Sequence, residues 1–399
     1  MRSTTTPVGA PVRELELTHE LAPSRLALRR PALTATLAYA LVAITLFGAG
    51  LLAMRWFGVA HHHGRPVPQG FVDAWNRWDA GWYRRIVADG YSYVPGKQSA
   101  VAFFPAYPLF VRAVSAVTRV PVAGMMVTIA SGAGAVVLFT AWTRRFLDSR
   151  TTLLALAVLL VYPYSFYLYG AVYSDALFLA CAIGAFLLLE SGRPWSSGLC
   201  GAVAAAARPV GVALAVGLAL RALELARRDG DRRWPAPREL VPALLTVAGL
   251  GSYIVFLWLR FRAPFAFIDT EAGWHQSPGP ATWFKVSFVH HLVNGDVFSI
   301  ARYSAHALMT IVALAFVPTV WRRFGRSYGV YCLIAILAPA LSTKDFFSMA
   351  RYVLAAFPCF AAAATLLSSR RVATRVELAT STTLLIVLCA MFNRGYYIA

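Results

Sequence analysis

The sequence predicts an all-α, polytopic membrane protein, a bundle of about eleven transmembrane helices with a long outer first loop carrying interfacial helices. Three observations predict it. Hydrophobic residues make up 58% of the 399-residue chain and charged residues only 14%, against roughly 25% charged in soluble domains. Apolar runs such as Thr34 to Met54 and Thr152 to Leu168 approach or reach the roughly 20 residues a helix needs to cross hydrocarbon. The basic residues, nearly all arginine, sit in short loops between those runs, where they set orientation in a membrane.

That placement also disposes of nucleic acid as a partner. The chain has 37 basic against 18 acidic residues, yet a nucleic-acid binder gathers its Arg and Lys on one soluble face. The five cysteines, Cys181, Cys200, Cys332, Cys359 and Cys389, lie in apolar stretches without ligand spacing, which argues against disulfides and zinc.

Residues 1–33 are polar and carry Arg2, Arg13, Arg25, Arg29 and Arg30. The apolar run after them is too long for a signal-peptide core, so they read as a cytoplasmic tail, and 34–399 as one integral membrane domain. Spans are expected at 34–54, 121–141, 152–171, 174–190, 239–259, 303–321, 328–342, 351–368 and 378–392. The stretch 196–226 is longer than one crossing. It is interrupted at Arg208-Pro209, where proline removes a backbone donor and a charge would sit mid-membrane. Read as two short helices meeting at a polar cavity, it puts Arg144, Arg145, Arg150, the Arg227 to Arg238 cluster, Arg322, Arg323, Arg326, Arg370, Arg371 and Arg375 all on the cytoplasmic side. The amino end is then inside, and three long or unusual segments, 56–120, 260–302 and 343–351, face out.

The first of these carries the chemistry. Phe71 to Tyr91 has Phe71, Trp75, Trp78, Trp82 and Ile86 at helical spacing, so one interfacial helix is expected. At 100° per residue Asp79 falls within about 60° of Val72, Trp75, Trp82, Tyr83 and Ile86, which turns its carboxylate into the aromatic face. There it either pairs with Arg77, Arg84 or another arginine and pins the loop, or serves as a general base whose proton affinity is raised by withdrawal from water. Downstream, Phe103-Phe104-Pro105-Ala106-Tyr107-Pro108 opens an apolar stretch too short and broken to span. It reads as lying along the membrane surface, either as an aromatic belt or as substrate contact.

W-D-A-G-W-Y, D-G-Y and F-F-P-A-Y-P together resemble the first luminal loop of the PIG-V-type mannosyltransferases, a branch of the GT-C membrane glycosyltransferases. The likeness extends through Tyr162-Pro163-Tyr164-Ser165-Phe166, Tyr173-Ser174-Asp175 and Ala207-Arg208-Pro209-Val210-Gly211. Pro264-Phe265-Ala266-Phe267 with Trp274, and Ser348-Met349-Ala350-Arg351-Tyr352 with Phe357-Pro358, are similar to further family positions. Asp175 stands where the family pattern has glutamate, and Glu271 where it has glutamine.

The resemblance implies a GT-C-like fold and an inverting transfer of a sugar, most simply mannose, from a polyprenyl monophosphate carrier to a hydroxyl acceptor at the outer face. Asp79 would be the base. Arg351, beside Lys344, and the mid-membrane Arg208 would neutralise phosphate, because guanidinium presents paired donors that match its oxygens. For Arg208 a structural pair with Asp175 is the other reading. Trp78, Trp82, Tyr83 and Trp274 would wall the sugar and carrier or anchor the loop at the interface, and Phe104, Tyr173 and Asp175 complete the substrate-binding set.

His61, His62 and His63, and likewise His290 and His291, lack a carboxylate or cysteine at ligand spacing, so no metal site is expected. No cofactor is expected either, since a monophosphate leaving group needs a divalent cation less than a diphosphate does. Glucose, galactose or arabinose would suit the same groove. The arginine-rich, lysine-poor composition suggests a GC-rich bacterial genome and an acceptor in envelope glycolipid, glycan or secreted protein. A transporter or flippase remains the rival class, because a charged helix break also suits alternating access.

Overall fold

The computed structural model describes residues 30–56, 58, 70–228, 234–276 and 279–398. Most of the expected tail and His61 to His63 lie outside them. The described residues form helices and no strand. In chain order these are α1 (Pro31–Trp56), α2 (Phe71–Trp75), α3 (Ala80–Asp89), α4 (Ala106–Val114), α5 (Val120–Thr143), α6 (Ser149–Val161), α7 (Asp175–Glu190), α8 (Pro194–Ala207) and α9 (Gly211–Arg228). There follow α10 (Pro237–Phe261), α11 (Ala266–Asp269), α12 (Pro280–Trp283), α13 (Val286–Asn294), α14 (Val297–Phe324), α15 (Arg326–Ser342), α16 (Met349–Tyr352), α17 (Pro358–Leu367) and α18 (Arg371–Asn393).

Among the described residues, 5 helices, α1, α5, α10, α14 and α18, are long and apolar enough to cross a membrane, or up to 6 if the bent pair Met349–Ala355 and Pro358–Leu367 counts as one span. This is a multi-pass membrane protein. Reaching the expected eleven takes the shorter helices α6, α7, α8, α9 and α15 as crossings too, so that count does not follow from length and composition.

Three expected elements are broken, each for a local reason. The span expected over 152–171 stops at Val161, because Pro163 disfavours helix at Tyr162. Residues 162–174 then run through the protein core as buried irregular chain with one 3₁₀ turn, Ser165–Leu168. The span expected over 351–368 bends by 91° before Pro358. The single helix expected over Phe71 to Tyr91 divides into α2 and α3, because Asn76 (φ −97°, ψ 57°) and then the left-handed Trp78 (φ 56°) leave the helical region. The break at Arg208-Pro209, by contrast, falls where the sequence puts it: Arg208 is extended (φ −156°, ψ 145°), as the residue before a proline is driven to be. A Cβ on Gly211 would collide with the backbone of Ala205, so the chain turns this tightly only with glycine there.

Small residues let the helices approach. A Cβ on Gly249 of α10 would strike the Ala202 carbonyl of α8, the close backbone contact that membrane helices use in place of a hydrophobic driving force. The segments 93–101 and 253–270 are clasped to each other. Tyr253 of α10 donates to the Val101 carbonyl at 2.7 Å, Tyr93 to Asp269 at 2.6 Å, and Thr270 to the Lys97 carbonyl at 2.6 Å. At roughly 0.5–1.5 kcal/mol each, these bonds hold residues 266–274 over residues 93–101.

Candidate active site

The turn that splits α2 from α3 places Asp79 at the N-cap of α3. Its backbone is already helical (φ −59°, ψ −25°) and its carboxylate makes no capping bond. The side chain is therefore free to reach across the molecule, where Asp79 Oδ2 accepts from Arg351 Nη1 at 3.1 Å. Its backbone N–H donates to the Tyr173 hydroxyl at 3.3 Å.

Arg351 is held on all sides. It lies in α16, after two left-handed residues, Phe346 and Ser348, each at φ 59°. The adjacent Ala350 peptide unit is gripped twice: its N–H donates to His306 Nδ1 at 3.0 Å and its carbonyl accepts from Tyr162 at 2.7 Å. The guanidinium, 7% exposed, sits against the rings of Tyr173 at 4.8 Å, Tyr352 at 5.0 Å and Tyr167 at 5.2 Å. Its Nε has no hydrogen-bond partner among the described residues.

A second pair lies alongside. Arg208, at the end of α8, donates to the carboxylate of Asp175, the first residue of α7, and lies over the Tyr352 ring at 4.9 Å. Arg208 and Arg351 thus share one aromatic ring. The Arg208 side chain is thus paired with Asp175 and also lines the cavity described next.

That cavity, about 560 Å³, is lined by Asp79, Tyr83, Phe104, Tyr173, Asp175, Arg208, Trp274 and Arg351 among others. Eight of the side chains expected at a site from sequence therefore converge. Three do not line it. Trp78 packs edge-on against Tyr397 at 4.7 Å, because its left-handed backbone turns it away from the face that a continuous helix would give. Trp82 stands behind the wall, stacked on Phe103 at 5.7 Å and against Trp274 at 5.8 Å, both of which do line the cavity. Lys344 meets the site only through its backbone N–H, which donates to the Gln276 side chain at 2.9 Å.

Other wall residues are absent from the sequence-derived set. Gln276, Phe347 and Tyr397 carry no motif. Glu271 and Tyr352 fall within or beside family-like stretches, and only the fold shows that they face the cavity. Burial pushes the Asp79 carboxyl up, opposed by the charge of Arg351 and the hydrogen bond from it. Desolvation, then the Asp79 charge, pushes Glu271 up to about 7. Tyr83 is also raised by burial while its hydroxyl donates to Ser174 at 3.1 Å, so it stays neutral. Among the described residues, no three His, Cys, Asp or Glu side chains come together as metal ligands would. Two guanidinium groups and a desolvated carboxylate around one partly apolar cavity suit an amphipathic anion and a nucleophile that must lose a proton.

Residues 67–226 match the family model described as Mannosyltransferase (PIG-V). That segment is less than half of the 399-residue chain. It contributes Asp79, Tyr83, Tyr173, Asp175 and Arg208 to the cavity, whereas Glu271, Trp274, Arg351 and Tyr397 enter from outside it. No curated protein matches the chain. Among solved structures it is similar to an oligosaccharyltransferase of Archaeoglobus fulgidus crystallised with a tethered acceptor peptide (13% identity, TM-score 0.45, covering 92% of this chain and 55% of that one). It is also similar to AglB of the same organism in complex with an inhibitory peptide and a dolichol-phosphate (12% identity, TM-score 0.43, covering 91% and 55%). The chain thus spans about half the length of these structures.

Proposed function

We propose that this chain is an inverting glycosyltransferase that moves mannose from a polyprenyl monophosphate to a hydroxyl acceptor on the outer face of the membrane, with the amino end cytoplasmic. The observation that carries the reading is the Asp79–Arg351 contact of 3.1 Å on the cavity wall: a carboxylate lies beside the cation that would hold the leaving group. The acceptor hydroxyl gives its proton to Asp79 as its oxygen forms a bond to the anomeric carbon. The bond from that carbon to the phosphate oxygen breaks, and its electron pair leaves with the phosphate. Arg351 and Arg208 meet the charge that develops there, a task for which buried guanidinium groups are pre-oriented. They make a divalent cation dispensable, so chelation should leave transfer intact.

The test is transfer of radiolabelled mannose from polyprenyl phosphate mannose to a membrane-glycolipid extract by the purified protein and its Asp79→Asn variant. A loss of at least about 10²-fold in a variant that folds and binds donor is expected. Equal transfer by both proteins would remove Asp79 from the mechanism. No transfer by either, together with movement of a lipid across vesicles, would favour a transporter.

A further inference from the structure

The segment after α18 reaches the cavity without any motif to announce it. Arg394 anchors its start, donating from Nε to the Gly58 carbonyl at 3.2 Å and from Nη1 to the Met54 carbonyl at 3.3 Å, at the end of α1. Gly395 follows with φ 88°, and a Cβ there would strike the Arg77 guanidinium, so the turn is built for glycine. Arg302 of α14 donates from Nη1 to the Tyr397 carbonyl at 3.1 Å, and Ile398 is buried in the core.

Between these anchors the Tyr397 ring is held by two others, edge-on to Trp78 at 4.7 Å and stacked on Phe347 at 5.4 Å. It lines the same cavity as Asp79 and Arg351. Trp78, expected to wall the sugar and carrier or to anchor the loop at the interface, braces the tyrosine that does face the cavity. Resting on the transferase reading above, we infer that Tyr397 is a substrate-binding residue, whose hydroxyl donates a hydrogen bond to the carrier phosphate held at Arg351.

A neutral donor suits that place. Burial, then the charge of Asp79, raises the Tyr397 hydroxyl well above its ordinary range, so it keeps its proton beside the anion. A hydroxyl adds directional hydrogen bonding without a third fixed positive charge, which would hold the product phosphate back.

The test measures binding of polyprenyl phosphate to the full-length protein in detergent, using the wild type, Tyr397→Phe and Arg351→Ala, with the melting temperature of each. Tyr397→Phe keeps the ring between Trp78 and Phe347 and removes only the hydroxyl. Binding about tenfold weaker at an unchanged melting temperature is expected, as for a lost hydrogen bond to a charged group. Wild-type affinity in Tyr397→Phe would overturn the inference and leave the transferase reading standing. Tight binding by the wild type without mannose transfer would overturn the transferase reading, and the Tyr397→Phe comparison would still decide the contact. No binding by the wild type overturns both. If Tyr397→Phe melts early, fluorotyrosine at position 397 of the otherwise native protein gives the answer: its fluorine NMR signal should move on adding polyprenyl phosphate, and a fixed signal would sink the contact.

Discussion

Helix α7 begins and ends in arginine–carboxylate clusters of opposite character, set roughly 22 Å apart by its 16 residues. At its far end Glu190 accepts from Arg221 Nε at 2.8 Å, from Tyr328 at 2.7 Å and from Arg145 at 2.8 Å. Glu224 accepts from Arg221 at 3.0 Å, from the Ser327 N–H at 2.9 Å and from the Ser327 hydroxyl at 2.7 Å. Even the Tyr328 oxygen accepts in turn, from the Trp142 indole at 2.8 Å. At the near end the pairs Asp175–Arg208 and Asp79–Arg351 line a space of about 560 Å³, Arg351 Nε is unpartnered among the described residues, and the Asp79 side chain is 26% exposed. The saturated cluster ties α5, α7, α9 and α15 together. The unsaturated one keeps bonding capacity for a ligand.

Breaking each cluster should therefore cost different things. The largest effect is expected at Asp79, whose change to Asn should lower transfer by about 10²–10⁴-fold while the protein still folds. Arg221→Leu should do the reverse. Removing the cation leaves Glu190 with Arg145 as its remaining guanidinium partner and takes Arg221 from Glu224, at about 1–3 kcal/mol, which a thermal melt would register as an early transition. Transfer per folded molecule should stay near wild type. Loss of transfer at an unchanged melting temperature in Arg221→Leu would erase the contrast between the two ends.

How far the sequence reveals this depends on whether information is local or brought together by the fold. The break at Arg208-Pro209 is legible because proline acts on its immediate neighbours, and Asp79 because a carboxylate in an aromatic segment is costly wherever the chain goes. The bend before Pro358 does not follow that rule, since Phe357 is helical (φ −50°, ψ −33°) and the chain turns at Ala356 (φ −81°, ψ 51°), and the apolar run around it reads as one span. Trp78 is misplaced because the helix on which its direction was reckoned ends at Trp75, Asn76 leaving the helical region before the left-handed Trp78. Tyr397 has no local mark at all, since its place depends on Arg302 and Arg394 docking a segment more than 300 residues away from Asp79 in sequence.

The smallest expected effect sharpens the comparison through pH. Glu271, a third cavity carboxyl beside Asp79 and Asp175, is pushed up to about 7 by desolvation and by Asp79, so it is protonated below that pH and charged above it. As it ionises it adds negative charge to the cavity, and on the proposed reading of a phosphate-linked donor, donor affinity should fall as pH rises through 7. The same group contributes to stability with a definite sign. The folded state holds a proton that the unfolded chain, with an ordinary carboxyl, has already lost, so this contribution is present at low pH and declines as pH rises toward 7. Glu271→Gln should flatten both dependences, leaving donor affinity at the wild type's low-pH value. Asp79→Asn removes the neighbouring charge and should move the Glu271 transition to lower pH without abolishing it. A donor-binding titration between pH 5.5 and 8.5 on the three proteins reads both shifts at once, and an unmoved transition in Asp79→Asn would show that the two carboxyls do not sense each other across the cavity.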